Sequence, residues 1–330
     1  MKVFITGATG FIGIHLAKTL AASGHTVHAL YRSEKKLAPL ADITNIILFK
    51  GDITEPESLE KAMNGCEQVY HVAAFADVWA KDPSIIYKLN VEATKNIFKI
   101  AQKLEIQKIV FTSTAGVYGP SLKGEVTEMT SRSLDFFVEY ERTKFIAEEK
   151  AREYVNKGLD IVIVNPTRVY GPGLLSKSNS VTLMIKQFSE GKWRIIPGNG
   201  KSIGNYVFVE DVVKGHLLAM EKGKSGENYI LGGSNASYIE FFDILRDLTG
   251  RKHKLFKLPL FIMLCSAHTM MLITKIFGKP PLITPALVRK FNYQWDVSSK
   301  KAETELGYTI TTLKEGMQSV LEWVKTKKYN

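Results

Sequence analysis

Glycines 7, 10 and 13 sit in TGATGFIG (residues 6–13), directly after a β-rich run and ahead of a helical pattern. A strand that feeds a helix through such a turn lets backbone approach a pyrophosphate, and the helix start offers free N–H groups and a positive dipole end. The spacing is GxxGxxG, not GxGxxG, but its place after the first strand points to a dinucleotide more than to a plain turn. Further on, Tyr140 and Lys144 lie four residues apart in a helical segment, so they share a face. A free phenol ionises near ~10, and an ammonium beside it, together with an oxidised nicotinamide, favours the phenolate. Tyr140 then suits a general acid for carbonyl reduction, or a base for alcohol oxidation. An isolated YxxxK also arises by accident on amphipathic helices, so the pair draws its meaning from its company.

That company begins with KIVFTST, which ends in Ser113 and Thr114 at the carboxyl edge of a strand, where α/β folds bind ligands. Neither hydroxyl is expected to be a nucleophile, because no histidine is patterned to activate one. Cofactor choice is written after the second strand, where an Asp or Glu about twenty residues past the glycines would bind the adenosine ribose 2′-OH. Here HALYRS (28–33) holds no carboxylate before Glu34, and Arg32 is followed by Lys35 and Lys36. A guanidinium accepts a 2′-phosphate through charge-assisted bonds, which favours NADP over NAD; the bland alternative is a solvated basic loop. The seven histidines, 15, 25, 28, 71, 216, 253 and 268, form no i,i+4 pair and no HExxH, so no metal is expected, and His216 reads as a structural helix residue.

The elements that must position these groups alternate through the first 165 residues. Short apolar runs (KVFIT, TVHAL, NIILFK, QVYHVAA, KIVFTST, DIVIV) are separated by helical patterns at 11–23, 56–64, 83–104 and 136–157. Strict alternation means a parallel sheet, since parallel strands need crossovers, and IVIV is apolar at every position as strands covered on both sides require. The expected fold is α/β: a doubly wound Rossmann domain with a smaller mixed α/β substrate lobe. Gly/Pro clusters after Pro166 suggest segments that leave the sheet and return to it. We expect the dinucleotide domain over 1–167 plus 206–233, with the 207–209 run and NYILGG returning to the sheet domain. The lobe would then take 168–205 and 234–330.

Six motifs in order, TGATGFIG, GDIT (51–54), HVAA (71–74), TST before VYG (112–119), YERTK (140–144) and NPTRVYGPG (165–173), resemble the extended short-chain dehydrogenase/reductases over the whole chain. Within the NAD-dependent epimerase/dehydratase superfamily the chain looks most like the dihydroflavonol-4-reductase-like and hopanoid-associated epimerase-like subgroup. The resemblance implies that Thr114 holds the catalytic Ser/Thr position, with Ser113 as the fallback, that Lys144 holds the nicotinamide ribose, and that Asn90 is the family asparagine, with a structural role equally open. It further implies cofactor contacts at Thr9, Phe11 and Ile12 in the glycine turn, at Arg32 and Lys36, at Asp52 and Ile53 on the adenine side, at Ala73 and Ala74, and at Pro166 and Val169. Homodimerisation through the helices at 83–104 and 136–157 is a family expectation. Sugar-nucleotide dehydratases carry acidic residues after the Ser/Thr, where this chain has Ala115-Gly116, and nucleotide-sugar epimerases carry an R-D-[FY] arginine where it has Ile203-Gly204-Asn205-Tyr206. An NADPH-dependent carbonyl reductase, or the reverse alcohol dehydrogenase, therefore fits best. The alternatives are a sugar or nucleotide-sugar epimerase and an inactive dinucleotide sensor, the last disfavoured because a sensor needs no proton donor.

The chain has 330 residues, 45% hydrophobic and 23% charged, enough for two domains with a sizeable core. No basic stretch leading into an apolar run opens it, so a secretory signal is not expected and the expected address is cytoplasmic. Cys66 and Cys265 match no metal spacing and read as buried apolar cysteines. Residues 1–150 hold 18 basic and 18 acidic side chains, so the net charge of +11 belongs to the second half. No basic run is interleaved with stacking aromatics, which argues against nucleic acid. Residues 258–277, LPLFIMLCSAHTMMLITKIF, follow the basic RKHKLFK. The favoured reading is a lobe helix covering the pocket, and the second is peripheral contact with an anionic membrane surface. Both point to an apolar substrate.

Overall fold

The computed structural model describes residues 1–77, 79–175 and 179–326. In chain order its strands are β1 (Lys2–Thr6), β2 (Thr26–Tyr31), β3 (Ile46–Lys50), β4 (Gln68–His71), β5 (Lys108–Thr112), β6 (Ile161–Pro166), β7 (Arg168–Tyr170), β8 (Ile195–Pro197), β9 (Ile203–Phe208), β10 (Asn228–Leu231), β11 (Ser234–Ser237) and β12 (Phe256–Leu258). Seven of them form one parallel sheet in the order β10-β6-β5-β4-β1-β2-β3. The order reverses beside β1, so the crevice above the carboxyl ends of β1 and β4 is where such a sheet takes a ligand.

Alternation along each strand builds two cores. Val3 and Ile5 pack beneath the helices Phe11–Ala22 and Val209–Lys222, with Leu16, Leu20, Val212 and Met220. Phe4, Ile109 and Phe111 face the other side, against Leu59, Ile97, Phe98 and Ala147. All six residues of β6 are buried, as its unbroken apolar run demands. A third core joins Tyr170, Phe188, Tyr206, Phe241, Phe242 and Met317 in the smaller lobe.

Several boundaries differ from the sequence reading. NYIL does join the main sheet, as β10 beside β6. The 207–209 run returns to the same domain without entering that sheet: Val207 and the helix from Val209 pack in its first core, while β9 pairs with β7 and β11 in a separate three-stranded sheet. Conversely Ala302, Leu306 and Tyr308, assigned to the lobe by sequence, close the core under Val209–Lys222. The helix expected from 136 starts at Glu139, leaving Phe136 outside it with the Arg132 guanidinium 4.2 Å from its ring centre. The 83–104 segment is helical but interrupted by a five-residue π-helical turn, Lys88–Glu92, that carries Asn90. Cys66 is buried as expected, whereas Cys265 is exposed on the helix Leu260–Phe277.

Candidate active site

The cleft starts at the glycine turn. Gly7 adopts φ +72°, and a Cβ there would stand 2.7 Å from the backbone nitrogen of Ala73. A Cβ on Gly13 would come 2.0 Å from the Gly7 carbonyl oxygen. Glycine at these two positions lets the first helical turn close against β1 and β4. Gly10 caps that helix without a side-chain bond, so the first-turn N–H groups open onto the cleft. The cleft, about 530 Å³, is lined on this side by Gly7, Thr9, Gly10, Phe11, Ile12 and Gly13, and opposite by Ala73 and Ala74.

At the adenosine end stand Arg32, Ser33, Lys36, Asp52 and Ile53. Arg32 is 73% exposed with its guanidinium 3.6 Å from Asp52, whose other oxygen accepts bonds from the Thr54 backbone and hydroxyl at 2.9 and 2.8 Å. Glu34, the first carboxylate after β2, is bonded to Lys50 at 2.8 Å and does not line the cleft.

At the far end Ser113, Thr114, Tyr140, Pro166 and Val169 share one wall. The Thr114 hydroxyl stands beside the Tyr140 phenol and favours its ionised form. The Thr114 oxygen accepts from the Gly116 N–H at 3.2 Å, which fixes the rotamer. Burial pushes the phenol up to about 12, the neighbouring Glu141 carboxylate adds to the rise, and the Thr114 hydroxyl opposes it. Lys144 is not among the groups that move the phenol, contrary to expectation. Its ammonium instead lies 4.1 Å over the Phe111 ring, where burial lowers it to about 7 against the pull of Glu148. The Lys144 Nζ and the Ser113 Oγ are both buried without a hydrogen-bond partner. Two orphaned polar groups behind a glycine cradle fit the ribose and pyrophosphate of a nicotinamide dinucleotide.

Asn90 lies outside the cleft lining and is fully engaged. Its Oδ1 accepts from the Phe75 N–H at 2.7 Å, and its Nδ2 donates to the Phe75 carbonyl at 3.2 Å and to Thr143 Oγ1 at 3.0 Å. It therefore ties the loop after β4 to the helix that carries Tyr140, a positioning role, the structural one of the two readings left open by the sequence. His216, bonded to Thr112 at 2.8 Å and the Val212 carbonyl at 2.7 Å, is structural, as is His71 between Thr6 and Thr94. Among the described residues no group of three or more His, Cys, Asp or Glu gathers as a metal site.

Two features escaped the sequence reading. Arg168 lines the cleft with its NH1 3.2 Å from the Tyr238 hydroxyl and the Tyr206 and Tyr238 rings within 6.0 Å; among the described residues no carboxylate pairs with it. A Cβ at Gly204 would meet this guanidinium at 2.5 Å, so the cation missing from β9 is supplied beside it by β7. Its only signal was the R of NPTRVYG. The second is Glu141, buried next to Tyr140 and gripped by Arg132 at 3.3 Å and by Lys290 of the lobe at 2.5 Å.

The profile of the NAD dependent epimerase/dehydratase family matches residues 3–232. Sterol demethylase protein B of Methylococcus capsulatus is 28% identical over 331 residues, covering 99% of both chains. The bifunctional dihydroflavonol 4-reductase/flavanone 4-reductase of Malus domestica is 31% identical over 269 residues, covering 74% of this chain and 76% of its own. The solved UDP-glucose 4-epimerase of Thermotoga maritima shares the fold, with a TM-score of 0.83 at 24% identity over 99% of this chain and 100% of its own.

Proposed function

The chain belongs to the NAD-dependent epimerase/dehydratase family, within its extended short-chain dehydrogenase/reductase branch, and from that premise we propose that it is an NADP(H)-dependent oxidoreductase. It interconverts a carbonyl and a secondary alcohol on a small, predominantly apolar substrate. The observation that carries this reading is the convergence of Tyr140, Thr114 and the orphaned Ser113 hydroxyl at one end of a glycine-built cleft; the orphaned Lys144 ammonium is buried one turn along the Tyr140 helix, outside the cleft lining.

When bound, the nicotinamide supplies or accepts the hydride. The protein manages the proton. Tyr140 donates its phenolic proton to the carbonyl oxygen in reduction, and Thr114 holds that oxygen by a second hydrogen bond. At a phenol held near 12 the protonated form dominates, which suits an acid; the oxidising direction needs the positive charge of the oxidised cofactor to lower it. Lys144 finds in the ribose hydroxyls the acceptors it lacks in the protein. The NADP preference is supported by Arg32, Ser33 and Lys36 on the cleft and by the engagement of Glu34 elsewhere.

Arg168 supports a second reading, a nucleotide-sugar epimerase, because a cleft-lining guanidinium without a carboxylate suits a phosphate. Net cofactor turnover separates the two. Incubation with NADPH and a panel of aryl ketones, aldehydes and keto-steroids should give steady loss of reduced cofactor, faster than with NADH. Turnover of a nucleotide sugar with no net change in cofactor, and inert apolar ketones, would overturn the proposal.

A further inference from the structure

The helix Leu260–Phe277 covers nothing in the cleft: none of its residues lines it. It is long and apolar enough to cross a membrane by length and composition, yet only 17% of it is buried. Met263, Ala267 and Thr274 form one stripe along its length; the first two pack with Val288, Leu258 and Ile283 of the lobe. Leu260 and Leu264 pack partly against the same cluster, and the opposite side faces solvent, with Phe261 at 67%, Ile276 at 74% and Phe277 at 68% exposure, continued by Leu282 at 82% and Phe256 at 57%. Apolar side chains gathered so densely on a surface mark a contact.

Charge says with what. Residues 248–295 contain eight Lys and Arg and not one Asp or Glu. Arg251, Lys252, Lys254 and Lys257 are exposed just before the helix, and Lys275 and Lys279 are exposed at its far end. Among the described residues none of these six is in an ion pair. A rod about 27 Å long, apolar on its open side and cationic at both ends, matches the boundary between acyl chains and anionic headgroups. A second copy of the chain would bring the same unpaired cations together.

We propose that Leu260–Phe277 and its flanking lysines dock the protein onto an anionic lipid bilayer, the helix lying in the interface plane. It does not span, because the Met263–Ala267–Thr274 stripe stays bound to the lobe. The surface is connected to the catalytic helix: the same lobe segment that packs under it ends in Lys290, the partner of Glu141. The bilayer thus becomes the source of an apolar substrate. Docking itself is independent of the reaction proposed above, and its test uses no turnover.

The test is sedimentation of the full chain with vesicles of phosphatidylcholine alone or mixed with phosphatidylserine, at low and high salt. The protein should pellet with mixed vesicles at low salt, and the bound fraction should fall about tenfold with phosphatidylcholine alone or at high salt. Two variants separate the forces: Phe261→Ser/Ile276→Ser/Phe277→Ser and Lys252→Gln/Lys254→Gln/Lys257→Gln. All six positions are exposed, so both variants should fold, verified by unchanged dinucleotide fluorescence titration. Each should lose about tenfold in vesicle binding. Absence of wild-type pelleting at low salt, or equal pelleting by the apolar variant, overturns the proposal. So does a change from dimer to monomer in the apolar variant with vesicle binding intact, which would make the patch a self-association surface.

Discussion

Lys144 carries a burial penalty that the Glu148 carboxylate offsets only in part. Its folded ionisation lies at about 7 against an ordinary 10.5, because burial disfavours the charged form. Between those values the unfolded chain holds a proton that the folded chain has released, so stability rises with pH across the window and the penalty is full below it. Lys144→Met should flatten that rise and raise the melting temperature below pH 7, by about 2–4 °C for each kcal/mol recovered. It should also weaken dinucleotide binding. Melting curves from pH 6 to 10 with and without cofactor test both, and an unchanged profile would remove the buried ammonium from the account. Tyr140→Phe keeps the ring and removes the proton, which should lower turnover by about 10²- to 10⁴-fold with cofactor affinity intact. Arg32→Ala should raise the Kd for NADPH by about ten- to a hundredfold and leave NADH nearly unaffected, as read by fluorescence titration. These three residues were legible in sequence because each sits in a local motif. Arg168 was not, since its meaning depends on Gly204 and Tyr238 across the small sheet.

The glycine turn and the Glu139–Val155 helix are the elements that set the cleft's two walls. Gly13→Ala places a methyl group 2.0 Å from the Gly7 carbonyl, so either the helix shifts or the turn opens. Either response should destabilise the fold by more than about 2 kcal/mol and abolish dinucleotide binding, measurable by urea unfolding and titration. Binding at wild-type strength would show that the turn yields without consequence. The helix is read from sequence with its start three residues early, because its N-terminal Val138 offers no side-chain cap to mark the boundary. The π-helical turn at Lys88–Glu92 leaves no sequence signal at all. It follows from Asn90 reaching both Phe75 and Thr143, contacts 15 and 53 residues away.

Across the molecule, one buried carboxylate holds the lobe to the dinucleotide domain beside the proton donor. Glu141 is met by Arg132, itself bonded to the Gly116 carbonyl at 2.6 Å, and by Lys290, which also lies 4.4 Å over the Trp295 ring. Glu141→Gln leaves two cations facing each other with no counter-charge and should lower stability by about 3–5 kcal/mol. Adding Lys290→Met should recover a substantial part of that loss. Denaturant unfolding of the two variants decides it, and additive losses would mean that the two side chains are not coupled. The third core and the three-stranded sheet complete the lobe.

Periodicity and local motif spacing were enough to specify the parallel sheet, its crossover helices, the glycine turn and the Tyr140–Lys144 pair, because each rests on residues a few positions apart. Which face a strand shows follows from a period of two, and a helix face from steps of three and four. Folding decided everything that rests on distant partners. It brought Lys290 to Glu141 over 149 positions, gave Asn90 a structural post, and aimed the Lys144 ammonium at the Phe111 ring. It also settled the fate of residues 260–277, whose apolar composition suits a core, a cleft cover or a membrane face equally well. Exposure depends on what the remaining chain leaves uncovered, and here the lobe takes one side of the helix and leaves the other to solvent.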